Sequence, residues 1–193
     1  MSVQQRRERE RARRHDLIVS AARELAEAEG WDAVTTRRLS EKIEYSQPVL
    51  YSHFSGKDAI AAAVALEGFA ELADALASAR TGAGAPREAL ARVFAAYAAF
   101  AYANPALYDA MFTLATDLPF AQPTTPAPLQ AAFTQFYEVL APLVGDREAG
   151  TFTEVAWSAL HGLVTLERGG RLSVGRRDER LELLVEQFLI PLG

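Results

Sequence analysis

The chain contains no cysteine, which excludes disulfide staples, thiolate metal sites, iron–sulfur clusters and a cysteine nucleophile. Histidine is scarce as well, with His15, His53 and His161 the whole complement. Three residues before them stand Ala12, Leu50 and Ser158, so no Glu-x-x-His pair exists for a di-metal helical bundle. Nor is there a phosphate-binding glycine loop, a dinucleotide fingerprint or a nucleophile elbow. Ser158 and His161 stand one helical turn apart, yet nothing in the pattern orients them as a catalytic pair. The longest apolar run, 93–103, is eleven residues, well short of the ~20 that a membrane-spanning helix needs. The charged N-terminus has no apolar core of a secretory leader. Nine prolines and twelve glycines in 193 residues are too few for long disorder or a collagen-like repeat. These absences point away from an enzyme, a metalloprotein and a membrane protein. No cofactor and no metal are expected, and the expected location is the cytoplasm.

What is present is a globular composition, 50% hydrophobic and 23% charged, with a net charge of −5. The charge is unevenly divided. Residues 1–57 carry eleven Arg and Lys against nine Asp and Glu, or +2, and the remainder carries −7. Residues 1–14 alone hold six Arg and two Glu. A basic front on an acidic body fits a nucleic-acid-binding head joined to a separate partner domain. A solvated tail would carry the same charge.

Almost every segment has helical period, and no alternating strand pattern of useful length occurs. Leu17, Ile18, Ala21, Ala22, Leu25 and Ala28 form an apolar stripe that Gly30 can close as a C-cap. Two short segments follow, 36–43 and 47–54, then a long alanine-rich helix over about 57–79. Pro86 and Pro105 each suit a first helical turn, where a missing N–H costs little. Four of the nine prolines lie within 119–128, so 115–126 is read as a surface loop. Helices are expected at about 129–143, 151–167 and 178–190. The architecture is therefore all-α, with about nine helices. Residues 1–56 form a head whose residues 1–13 are a basic, flexible arm, and 57–193 form a helical body.

The stretch 34–57, VTTRRLSEKIEYSQPVLYSHFSGK, is the most informative. Thr35 can cap the first short helix, with Val34 and Leu39 spaced as a hydrophobic staple, and Ser46, Tyr45 and Leu50 repeat the device. Two capped short helices joined by a tight turn read as a helix-turn-helix. Neither is stable alone, and Trp31, Ile43, Leu50 and Phe54 are the expected filler. With Leu50 and Phe54 inward, Pro48, Val49 and Ser52 face outward and Gln47 sits in the first turn. That turn is the part of a recognition helix that meets base edges in the major groove of double-stranded DNA. Gln47 can pair with adenine, and Pro48 and Val49 offer apolar surface to a thymine methyl. Thr36, Arg37, Tyr51 and His53 can reach phosphates, and Arg37 is long enough to reach a guanine. Lys57 and the first N–H groups of the long helix make an anion site. Tyr51 and His53 serve equally well as half-buried packing residues.

With an aromatic at Trp31, then Thr35-Thr36-Arg37, Leu39, Leu50, Tyr51, His53, Phe54 and Lys57, the region 14–65 resembles the TetR (tetracycline-repressor-like) family of transcriptional regulators. The resemblance implies a three-helix DNA-reading head, a helical regulatory domain, a homodimer, and repression relieved by a small ligand. Two departures stand out. Ile43-Glu44 occupies the turn where the family commonly has Ala-Gly, which requires a positive φ at Glu44 or a different turn. Val49 stands where a hydroxyl residue or glycine is common. Further on, Trp157, His161 and Gly162 resemble the Trp-His-Gly signature of one C-terminal subfamily.

In the body, the helix at 151–167 is apolar on two faces and the last helix is also rich in Leu. A two-fold seam is read from Phe152, Val155, Ala159, Leu163 and Leu166 with Leu181, Leu184, Val185 and Phe188; buried monomer core is the alternative. Leu192 continues the last helix's apolar series. Tyr97, Phe100, Tyr108, Met111, Phe112, Phe133, Phe136, Tyr137, Trp157 and His161 have the makeup of a site for a small hydrophobic or aromatic effector, and equally of an ordinary helical core. His161 fits core, seam or pocket. A DNA-binding regulator without an effector and a helical interaction module are the competing functions.

Overall fold

The computed structural model describes residues 2–114 and 117–189. Among them are nine α-helices and no strand: α1 (Val3–Glu29), α2 (Thr36–Ile43), α3 (Gln47–Tyr51), α4 (Lys57–Arg80), α5 (Pro86–Ala103), α6 (Pro105–Phe112), α7 (Ala127–Leu140), α8 (Ala149–Arg168) and α9 (Arg177–Leu189). None of these is long and apolar enough to cross a membrane. Ala115 and Thr116 of the expected loop, and Ile190 and Leu192 of the last helical pattern, lie outside the described residues.

Residues 3–13, expected as a flexible arm, are instead the opening turns of α1. Ser2 Oγ accepts from the Gln5 N–H at 3.2 Å, and Gln5 Oε1 accepts from the Ser2 N–H at 2.9 Å. This reciprocal box satisfies two of the otherwise unpaired donors of the first turn. Arg, Glu, Gln and Ala then continue without glycine or proline, all strong helix formers. The buried face of α1 is Ile18, Val19, Ala21, Ala22, Leu25 and Ala26. Leu17 is 42% exposed and Ala28 is exposed too, because successive residues turn about 100° and both fall off the 18–22–25 line.

The described residues divide into two compact units, Met1–Gly68 with Asn104–Thr125, and Phe69–Ala103 with Pro126–Gly193. In the first, Leu39, Leu50 and Phe54 of the helix-turn-helix are buried and α2 packs on α1 and α3. Trp31 is buried, and its indole N–H donates to the Ala106 carbonyl at 2.7 Å. The Glu27 carboxylate accepts from the N–H groups of Ala106 and Leu107 at 3.1 and 2.9 Å, which caps the start of α6. Gly68 marks the passage of α4 by α6, since a Cβ there would stand 2.7 Å from Leu107 Cδ1 and Met111 Sδ.

In the second unit α5 packs on α9 and α7 on α8. Its interior is Phe94, Tyr97, Phe136, Leu140, Leu160 and Val164 with the more sequence-distant Val185. The α8–α9 connection is closed by Glu167, which is 7% exposed and takes hydrogen bonds from Arg177 on one oxygen and Arg180 on the other. Arg177 also lies 3.4 Å over the centre of the Tyr102 ring.

The turn after α2 resolves the question raised by Ile43-Glu44. Glu44 adopts φ 58°, ψ 33°, a left-handed residue without the glycine that would hold it freely. Its N–H and that of Tyr45 both bond the Ser40 carbonyl, which closes the helix despite the cost. Glu44→Gly should therefore raise the head's stability by about 0.5–1 kcal/mol, the left-handed penalty less glycine's greater unfolded freedom. Glu44→Val should lower it. Urea unfolding of the two variants checks this, and an unchanged or lower midpoint for Glu44→Gly would show that the turn carries no strain.

Candidate nucleic-acid interface

Thr35 caps α2 as read, with its Oγ1 accepting from the Arg38 N–H at 3.2 Å. Ser46 takes the cap position of α3 in backbone only, with no side-chain bond. The reason lies in the next residues: Pro48 has no N–H to give, and the Val49 N–H already bonds the Ser46 carbonyl at 3.0 Å. Regular helix ends at Tyr51, and a tighter turn carries the chain to Phe54, whose N–H bonds the Leu50 carbonyl.

This short helix presents one exposed side. Gln47, Pro48, Tyr51 and Ser52 are exposed and Val49 is half-buried, while Leu50 and Phe54 face the core. The Tyr51 hydroxyl, on a side chain 54% exposed, lies 3.5 Å from Thr36 Oγ1. Arg37 is exposed and pairs with Glu41 at 3.0 Å on its own helix, a surface pairing worth at most about 1 kcal/mol. Arg38 and Lys42, by contrast, tie α2 to α1 through Glu29 and Glu24. Lys57 is not a bare cation: its Nζ donates to the Trp31 carbonyl at 2.6 Å, leaving two of its three donors. His53 is half-buried, and burial first, then Arg11, His15 and Arg14, hold its imidazole below the usual histidine range.

The expected effector residues are divided between the two units. Tyr108, Met111 and Phe112 belong to the first unit and the other seven to the second. Tyr97, Phe100 and Phe136 are buried there, Phe133, Trp157 and His161 are half-buried, and Tyr137 is 41% exposed. Three of them form a polar cluster. The Trp157 indole N–H donates to the Tyr97 hydroxyl at 3.3 Å. That hydroxyl can then give its own proton to His161 Nδ1 at 2.9 Å. The Nε2–H is left for Thr165 Oγ1 at 3.4 Å. Sequence pattern singles out Tyr97, Trp157 and His161 but not their mutual bonding, because Tyr97 stands 60 and 64 positions from its two partners.

Of the expected seam residues, Phe152 and Val185 are core of the second unit and do not face outward. Phe152 stacks edge-on with Phe188 at 5.3 Å. Val155 and Leu166 are 56% and 41% exposed, and Ala159, Leu163, Leu181, Leu184 and Phe188 are half-buried. Leu183, not singled out by its pattern, is 53% exposed. Gly162 lies in mid-helix between Ala159 and Leu166, and a Cβ there would meet nothing within 4 Å.

An all-α chain with a helix-turn-helix head and a helical body is the architecture of a DNA-binding transcriptional regulator, and comparison with known proteins agrees. Residues 18–64 match the family "Bacterial regulatory proteins, tetR family", and residues 90–188 match "Tetracyclin repressor-like, C-terminal domain". An uncharacterized HTH-type transcriptional regulator of Mycobacterium tuberculosis is 31% identical over 159 residues, 80% of this chain and 70% of that protein. Another, from Bacillus subtilis, is 37% identical over 94 residues, and the match spans about half of either protein (49% each). A Rhodococcus protein of unknown function shares the fold with a TM-score of 0.73 at 24% identity, over 91% of this chain and 93% of that one. The chain belongs to the TetR family of transcriptional regulators, whose members bind DNA and dimerise and are not enzymes. The likeness of Trp157, His161 and Gly162 to the narrower Trp-His-Gly subfamily remains a resemblance of those three residues, which the domain match does not extend.

Burial, reinforced by Arg168, holds the His161 imidazole below the ordinary histidine range. The unfolded chain therefore takes up a proton near pH 6.5 that the folded chain refuses. The His161 contribution to stability is complete above that pH and is lost as pH falls through it toward the folded pKa. Urea midpoints measured from pH 7.5 down to 5 should fall for the natural chain and fall less steeply for His161→Gln. Parallel profiles would show that His161 plays no part in the acid sensitivity.

Proposed function

We propose that this chain represses transcription as a homodimer that places two copies of α3 in successive major grooves of a palindromic operator. The observation that carries the reading is the segregation around α3. Leu50 and Phe54 are buried while Gln47, Pro48, Tyr51 and Ser52 stand exposed together, in the first turns that meet base edges in proteins of this class. Gln47 reads a base, Pro48 and Val49 contact methyl groups, and Thr36, Arg37, Tyr51 and Lys57 take phosphates. The α8–α9 surface around Val155, Ala159, Gly162, Leu166 and Leu183 is the dimer seam, supported by its exposed apolar side chains.

Release by a small hydrophobic or aromatic effector completes the proposal, supported by the polar cluster of buried Tyr97 with half-buried Trp157 and His161 in the second unit. Such an effector must favour the non-binding setting by several kcal/mol to empty the operator. A second reading, regulation without an effector, draws on the dense packing of Phe94, Tyr97, Phe136 and Leu160 in the same unit.

Enrichment of random duplex DNA on the purified chain should return an inverted repeat with half-site centres about 34–36 Å apart, or a multiple. Gln47→Ala should lose about 1–3 kcal/mol of preference at one base position while retaining affinity for unrelated duplex. Arg37→Ala should weaken all duplexes alike and shallow the salt dependence by about one phosphate's worth. Enrichment of no repeat, or a Gln47→Ala variant equally weak on every sequence, would sink the base-reading role.

A further inference from the structure

Between the opening turns of α1 and the residues that follow α3 runs a groove of about 670 Å³. Arg6, Arg7, Glu10, Arg11 and Arg14 line one wall, and Ser52 and His53 line the other. Arg7, Arg11 and Arg14 are spaced four and three residues apart, which sets them on one side of the helix with Arg6 adjacent. Glu10 pairs with Arg14 at 3.1 Å. Arg6, Arg7 and Arg11 are exposed, and among the described residues no acidic side chain forms an ion pair with them.

Residues 3–13 of α1 are exposed throughout, and the first buried residue of the helix is Ile18. It also lies outside the family match, which begins at residue 18. The extension is held helical from its start by the Ser2–Gln5 box. A face of arginines on a helix repels itself and calls for counter-charge from outside. At the far wall the His53 imidazole is held low first by burial and further by Arg11, His15 and Arg14.

We propose that residues 3–14 are a second phosphate-binding element, in which Arg6, Arg7 and Arg11 grip the sugar–phosphate backbone of duplex DNA beside the segment met by α3. The proposal rests on the reading of α3 as a DNA-contacting helix. Continuity decides the occupant. Ser52 and His53 close the groove and adjoin the exposed side of α3, so a backbone strand lying against Tyr51 and Ser52 leads directly between the arginines. Scale agrees: residues 6–14 span about 12 Å of helix, and phosphates on one strand recur every ~3.4 Å along the duplex axis. Guanidinium groups suit this target, because their planar fork bonds phosphate oxygens in pairs.

The test uses the full chain and the duplex it enriches, comparing natural protein with the triple variant Arg6→Ala, Arg7→Ala, Arg11→Ala. Alanine is the strongest helix former, and the three positions are exposed. The variant's log-affinity against log-salt slope should be shallower by about 0.9 for each phosphate it no longer neutralises, with its ratio of specific to unrelated duplex unchanged. Trimming base pairs outside the two half-sites should weaken the natural chain and leave the triple variant unaffected. Lysine at the same three positions should restore most of the slope. A natural chain that prefers its duplex, beside a triple variant with the same slope and the same response to trimming, overturns this proposal alone. A natural chain that prefers no duplex overturns the α3 reading and this proposal together.

Discussion

The short helix α3 owes its position to other elements. At eight and five residues, α2 and α3 are far below the length at which an isolated helix persists in water. What holds them is apolar burial of Leu39, Leu50 and Phe54, each stabilising by about 1.5–3 kcal/mol. The exposed pairs Arg38–Glu29 and Lys42–Glu24 add little beside that. Trp31 organises the same corner from both ends, its carbonyl bonded by Lys57 and its indole by the Ala106 carbonyl. A residue named for its possible reach to phosphate is therefore also a strut of the head.

Much of this is legible in the sequence, for identifiable reasons. Pro86 and Pro105 mark helix starts because proline's missing N–H is harmless only there, and both open helices in the structure. At Glu44 the sequence leaves two outcomes, a left-handed residue or a different turn, and the structure takes the first. The helical arm escapes the pattern although its signal is present: Ser2-x-x-Gln5 is a capping box, and charge alone suggests a solvated tail. Phe152 and Val185 read as outward because two-faced apolar helices give no indication of which face the chain itself covers. The Glu27 cap on α6 and the Tyr97–His161 bond join residues 79 and 64 positions apart, beyond what periodicity can report.

An acidic protein with a net charge of −5 approaching a polyanion is a contradiction only if charge acts as a total. At physiological ionic strength fields fade within about 8 Å, so the local excess on residues 1–14 matters more than the acidic body. In α1 that excess becomes directional, because a helix sorts its arginines by face. Glu10, paired with Arg14 at 3.1 Å, softens it without cancelling it.

Gly162 completes the same line of reasoning for the second unit. A glycine in mid-helix costs about 1 kcal/mol relative to alanine, and nothing in this chain would obstruct a Cβ there. Internal packing therefore does not require it. Its neighbours one turn away are Ala159, half-buried, and Leu166, exposed. A small residue between apolar ones is what a second helix needs if it is to approach closely. In the proposed homodimer, a copy of α8 would be that second helix, and its two-fold axis would also deliver a pair of heads to the two arms of a palindrome. The glycine and the inverted repeat would then be consequences of one symmetry.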